Sequence, residues 1–132
     1  LKTRYAFYLI LNKEEHEMIK RSSEMTVEIR EKMRGGNGNV KLQHIFNTDE
    51  IMGKCRLFSR ITLEPGCSIG LHQHDKEEEV YYILSGTGTV DDNGEIKTIG
   101  PGDAIKTGGG QVHSISNNGD EPLEFLAVII LF

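Results

Sequence analysis

From Met25 to the C-terminus the sequence is a succession of short runs, alternating or wholly apolar, each stopped by a turn rich in glycine, asparagine or aspartate. Met25, Val27 and Ile29 alternate with Thr26, Glu28 and Arg30, and after Gly35-Gly36-Asn37-Gly38 the residues Val40, Leu42, His44 and Phe46 alternate again. A period of two is that of a strand with two unlike faces, so these runs pair as a hairpin with a longer loop. Further strands are expected over 55–63, 80–84, 87–90, 95–99, 104–107, 112–116 and 123–132, with a loop or short helical turn over 47–54. Punctuation comes from Glu64-Pro65-Gly66, Ser85-Gly86, Asp92-Asn93-Gly94, Gly100-Pro101-Gly102-Asp103, Gly108-Gly109-Gly110 and Asn117-Asn118-Gly119-Asp120. Many short strands with little helix close into a sandwich or barrel, and fifteen glycines against three prolines suit the turns required.

With 132 residues, the chain suits one domain: a barrel over 25–132 preceded by a tail over 1–24, extended or, where charged residues cluster at 13–21, a short helix. Lys2 and Arg4 before the apolar stretch Tyr5 to Leu11 imitate a signal peptide, but Asn12-Lys13-Glu14-Glu15 stands where a small-residue cleavage site belongs, so export is not expected. Met18 is an alternative start, which would make 1–17 an upstream extension. No run is long enough to span a membrane; the longest, Phe125 to Phe132, reads as a buried strand. Cys55 and Cys67 are too few for a disulfide framework and are expected as reduced thiols of a cytoplasmic protein. A formal charge of −5 argues against nucleic acid or an anionic membrane as partner. A bound cation would still admit small anions.

Chemistry concentrates in the histidines. His72 and His74, two apart, share a face of an extended strand. Glu79, five further on, has the wrong parity for a straight strand, and the polar run Asp75-Lys76-Glu77-Glu78 supplies the bulge or loop that restores it, with Glu78 as the register alternative. His113 arrives from a distant strand. Three imidazoles and a carboxylate suit one divalent transition metal (manganese, iron, nickel, zinc or copper) at about 2.0–2.2 Å. Four ligands on an octahedral ion leave two positions for substrate, water or oxygen.

Gly66, five residues, His72-Gln73-His74, four residues, Glu79, six residues and Gly86 match the first cupin motif at each fixed position. Gly102, five residues, Gly108-Gly109-Gly110, two residues, His113, three residues and Asn117 match the second, except that the family usually has proline where this chain has Gly108. The chain therefore resembles the cupins, and the likeness extends over most of 40–132. It implies a double-stranded β-helix, or jelly-roll barrel, with His72, His74, Glu79 and His113 ligating the metal inside. It implies tight turns at Gly66, Gly86 and Gly102 and a turn former at Asn117. Three successive glycines cost ordering entropy that proline would spare, which suggests a flexible loop leading to His113, although a harmless loop variant is the favoured reading.

The family hosts isomerases, decarboxylases, dioxygenases, lyases and non-catalytic sugar binders. The complete ligand set favours a metal-dependent enzyme acting on a small polar molecule, such as a sugar, sugar acid or other carboxylate. A non-catalytic small-molecule binding or sensing module is the alternative. Candidates for proton transfer are Glu79 itself and Tyr82, which shares a strand with Tyr81 but faces the other way. His44 is expected as a satisfied core or interface histidine, His16 as solvated, and Arg56 and Arg60 on one shared solvent face. Small cupins commonly dimerise, so a homodimer is expected, with strands 25–30 and 40–46 able to exchange between subunits.

Overall fold

The computed structural model describes residues 18–132. The alternating runs become ten strands: β1 (Thr26–Glu31), β2 (Asn39–His44), β3 (Cys55–Leu63), β4 (Ser68–Gln73), β5 (Glu77–Ser85), β6 (Gly88–Asp92), β7 (Glu95–Ile99), β8 (Ala104–Gly108), β9 (Val112–Ser116) and β10 (Leu123–Leu131). They form an antiparallel six-stranded sheet, in the order β1-β2-β3-β10-β5-β8, and a four-stranded sheet, β4-β9-β6-β7. The result is the double-stranded β-helix expected. Val40, Leu42, Ile61, Leu63, Tyr81, Ile83 and Phe125 from the larger sheet meet Ile69, Val90 and Ile115 from the smaller in one core. Short 3-10 turns at Ser22–Glu24, Met33–Gly35 and Thr48–Glu50 are the described helical pieces. The helix expected over 13–21 lies outside the described residues up to 17, and residues 18–21 are not helical. No described helix is long and apolar enough to cross a membrane. Cys55 and Cys67 are free thiols.

Three departures from simple alternation position the site. The first is β4, where the strand expected to carry both His72 and His74 ends at Gln73 and leaves His74 beyond it. Ile69 pairs with Ile115 and His72 with His113, so Gly70 and Leu71 on β4 stand opposite the single Ser114 on β9. This bulge lets both Ile69 and His72 face inward, where strict alternation would turn one of them out. A Cβ on Gly70 would sit 2.1 Å from the Arg34 carbonyl oxygen, and one on Gly36 would sit 2.2 Å from that of Ser68. Glycine at both points lets the β1–β2 connection lie directly on β4.

The second departure is in β3. Ile129 pairs with Leu57 but Ile130 with Cys55, leaving Arg56 as the extra residue of a bulge. The bulge corrects the expectation that Arg56 and Arg60 share a face. Arg60 stays on the outer surface, paired with Glu124, whereas Arg56 turns towards the cavity and Glu77. The third is β1, whose pairing puts Glu28 and Arg30 on the side of the buried Leu42 and Val40. Its apolar residues Val27 and Ile29 face outward, 51% and 57% exposed.

Candidate metal centre

His72 and His113 come from paired strands of the small sheet, directly opposite each other. Glu79 projects from β5 of the large sheet, and His74 stands in the connection between β4 and β5. That connection turns at Lys76, which adopts a left-handed backbone (φ 56°). It supplies the parity change the spacing demanded. Glu79 is buried, whereas Glu78, which was the register alternative, is only partly so.

One ligand atom from each of His72, His74, Glu79 and His113 lies within 4.8 Å of the others, a group that could hold a metal ion. His113 Nε2 is 3.0 Å from both His72 Nε2 and His74 Nε2. Glu79 Oε1 lies 3.0 Å from His113 Nε2, 3.1 Å from His74 Nε2 and 3.9 Å from His72 Nε2. Neighbouring ligands at right angles on an ion with bonds of about 2.1 Å are themselves about 3 Å apart. Glu79 Oε1 is buried, and none of its close contacts has hydrogen-bond geometry, so it has no hydrogen-bond partner.

The far nitrogens explain the convergence. His72 Nδ1 donates to the Gly70 carbonyl at 2.7 Å, and His74 Nδ1 to Glu77 Oε2 at 2.6 Å. Both partners can only accept, so the proton sits on Nδ1 and the Nε2 lone pair faces the cluster. His113 Nδ1 lies 2.9 Å from Thr107 Oγ1, a hydroxyl able to accept in the same sense. Three lone pairs and a carboxylate oxygen then face one another, an arrangement that repels itself until a cation enters. The residues fit a divalent metal.

Electrostatics agree. Burial would push the Glu79 carboxyl up, but the imidazoles of His113, His72 and His74 outweigh it and hold the group well below the usual carboxylate range. Glu79 raises the His74 pKa, against burial and with help from Glu77. Burial lowers that of the more enclosed His113 despite Glu79. Tyr81 stacks on the His113 ring, centroids 5.0 Å apart and planes 15° from parallel. Burial and the Glu79 charge push its hydroxyl upward.

The four expected ligands are thus brought together, but Tyr82 is not with them. It lies on the opposite face of β5, 46% exposed, because Tyr81 holds the inward position. His44 is satisfied as expected, by Ser59 Oγ and Glu28 Oε2, each at 2.8 Å. Asn117 is a loop organiser: it donates to Leu63 and Glu121 carbonyls at 2.8 Å and accepts from Gly119 N–H. Sequence reasoning missed Glu77 and Thr107, the acceptors behind two ligands, and Arg34, which the β1–β2 turn carries to the same cavity. Glu77 was recognisable only as one of three successive glutamates.

The glycine loop is hydrogen-bonded to the β4–β5 connection. Gly109 and Gly110 take left-handed conformations (φ 62° and 93°) in a tight turn. Gly110 N–H donates to the His74 carbonyl and the Gln73 side chain to the Gly110 carbonyl, both at 2.8 Å. At Gly108 a Cβ would meet the Glu78 Cβ at 2.6 Å. The turn is therefore tied to the backbone of a ligand residue.

Comparison with known proteins places this geometry. The cupin-domain family model matches residues 59–129. An oxalate-binding protein of Thermotoga maritima is 50% identical over 114 residues, which is 86% of this chain and 94% of that protein. A crystal structure of a Thermotoga maritima protein, described as a predicted oxalate decarboxylase, is 50% identical, with a TM-score of 0.83 over 87% of this chain and all of the other. A polyketide cyclase of Streptomyces resistomycificus shares the fold, with a TM-score of 0.71 at 22% identity, covering 86% of this chain and 80% of its own. Motif spacing, barrel and relatives agree, and the chain belongs to the cupin family.

Proposed function

We propose that this chain holds one divalent transition metal on His72, His74, Glu79 and His113 and takes a small carboxylate at the open positions of that ion. The observation that carries the reading is the set of three Nδ1-anchored imidazoles whose Nε2 atoms converge with the unpartnered Glu79 oxygen. The carboxylate follows from charge and likeness together. Arg30, Arg34 and Arg56 line the cavity above the cluster, and the Thermotoga maritima relative is named for oxalate. When bound, such an ion supplies Lewis acidity to a coordinated carboxylate or carbonyl. The protein's own groups fix the imidazole orientations, keep Glu79 ionised and place guanidinium groups where an anion enters.

On this reading the chain is a metal-dependent enzyme acting on that carboxylate. A second reading, binding without turnover, is favoured by one observation. The inward proton-handling groups other than the ligands are committed: His44 between Glu28 and Ser59, and Tyr81 buried with its pKa raised. The outer face of the large sheet, with Val27, Ile29, Tyr82, Leu84 and Ile130 exposed, is where a second copy would pack in the homodimer we propose.

The test is elemental analysis of the full chain purified without chelators, beside His74→Ala, followed by oxalate titration of both. Stoichiometric metal and oxalate binding, both lost in the variant, is the expected result. Full metal occupancy in the variant would remove the site assignment. Metal without carboxylate binding would remove the ligand class. Turnover of a bound carboxylate, followed by product analysis, separates enzyme from binder.

A further inference from the structure

The cavity that reaches the cluster is far larger than a two-carbon dicarboxylate needs. Its volume is about 320 Å³, at the lower end of the range that encloses drug-sized ligands, roughly 300–1,000 Å³. Burial sorts its lining into depths. His74, Glu79, Tyr81, Ile61 and Ile69 are buried and form the floor. Met33, Phe46 and Leu57 are partly buried and form the wall above. Arg30, Arg34 and Arg56 are exposed and stand at the mouth.

The arginines are not equivalent. Arg30 is paired with Glu28, and Arg56 grips Glu77. Arg34 has no carboxylate partner among the described residues. Its backbone is left-handed (φ 55°, ψ 29°), a conformation costly for a side chain with a Cβ. The turn that carries it is pressed onto β4 by Gly36 and Gly70, two residues from His72. A strained backbone therefore presents to the cavity of the metal ligands a guanidinium that has no carboxylate partner among the described residues.

We infer that the ligand is an amphipathic dianion: a carboxylate that reaches the cluster, an apolar and preferably aromatic body against Met33, Phe46 and Leu57, and a second anionic group on Arg34. An apolar wall between two charge-binding ends is wasted on oxalate, which has no body to bury. An aromatic body would gain from the Phe46 ring, and a distal carboxylate would take the paired N–H groups of the guanidinium. The inference rests on the proposed carboxylate role and extends it to the rest of the cavity.

Calorimetric titration of the manganese-loaded full chain with oxalate, mandelate and 4-carboxymandelate tests it. Mandelate is expected to bind about tenfold more tightly than oxalate, the scale of apolar discrimination in a pocket, and 4-carboxymandelate more tightly again. Phe46→Ala should erase most of the first step and Arg34→Gln most of the second, with circular dichroism confirming that both fold. Oxalate binding as tightly as the aromatic acids, or ratios unchanged in the variants, would overturn the inference and leave the carboxylate site standing. Failure of all three acids to bind would overturn the carboxylate role itself and the inference with it.

Discussion

Glu77 accepts the Nδ1 proton of His74 at 2.6 Å and is itself gripped by Arg56 through both oxygens, at 2.8 and 2.6 Å. The chain of contacts runs from a bulged arginine at the cavity mouth to an imidazole at the cluster. Arg56 holds the Glu77 carboxyl below its usual range, against partial burial and with a further contribution from His74. An ionised acceptor fixes the His74 tautomer and makes Nε2 a stronger donor to a metal.

Glu77→Gln should therefore weaken metal binding by about 10–100-fold, the usual effect of losing an outer partner of a ligand histidine. Glu77→Asp should recover part of that loss. Competition with a fluorescent chelator measures both. Affinity in the glutamine variant equal to wild type would show that the His74 tautomer is set without Glu77.

The centre also sets opposite pH preferences for the metal-free and metal-loaded protein. Without metal, Glu79 is depressed below its ordinary 4.5, so its contribution is present above pH 4.5 and is lost as pH falls through the lower folded value. His74 is raised above 6.5, so its contribution is full below pH 6.5 and is lost as pH rises through the folded value. Metal binding needs His74 neutral, and so strengthens as pH rises. The gap in Tm between metal-loaded and metal-free protein should widen from pH 6 to pH 8. A hundredfold excess of metal over its Kd contributes about 2.7 kcal/mol, several degrees in a domain this size. A gap that narrows over that range would contradict neutral His74 as a ligand.

Much of the barrel was legible because its strands have one wet face and a period of two, and each turn carries Gly, Asn or Asp. The ligands were legible because His72, His74, Glu79 and His113 stand at fixed spacings. What escaped was whatever a bulge decides. At Gly70 one extra residue turns both Ile69 and His72 inward, and at Arg56 another turns the side chain towards Glu77. An inserted residue in a ladder leaves no periodic trace. Alternation alone does not identify the inward face of the strand that carries Tyr82, the expected proton-transfer candidate; the cross-strand pairing gives that face to Tyr81. Arg34 was silent because its link to the cavity runs through glycines that pack rather than through any pattern of its own.

Gly108 gives a sharper case, since glycine there replaces the family's proline. A Cβ at this position would lie 2.6 Å from the Glu78 Cβ and 2.8 Å from the Glu77 carbonyl oxygen, on the strand that carries Glu79. Gly108→Ala must push β8 away from β5, at a cost of about 1–3 kcal/mol, typical of overpacking. Chemical denaturation of the metal-free protein measures the change. A neutral substitution would mean that the Gly108–Gly110 turn moves freely enough to absorb a methyl group, and would restore the flexible loop that three glycines suggest.

The outer face of β1 yields the last prediction. Val27 and Ile29 alternate as a buried face would, yet they are the exposed side, while Glu28 and Arg30 occupy the inner one. β-branched residues in a strand normally meet a packed surface. Covering the half of each that is still exposed would contribute about 1 kcal/mol. Tyr82, Leu84 and Ile130 form a second exposed apolar patch on β5 and β10 of the same face, separated from the first by Lys41 and Arg60 on β2 and β3. A second copy packed on this face should give twice the chain mass in solution by light scattering. Val27→Lys with Ile29→Lys should return it to the monomer mass without changing the cooperativity of unfolding, because neither side chain enters the barrel core. A wild-type chain that runs as a monomer at micromolar concentration would leave this face without a partner copy and end the homodimer proposal.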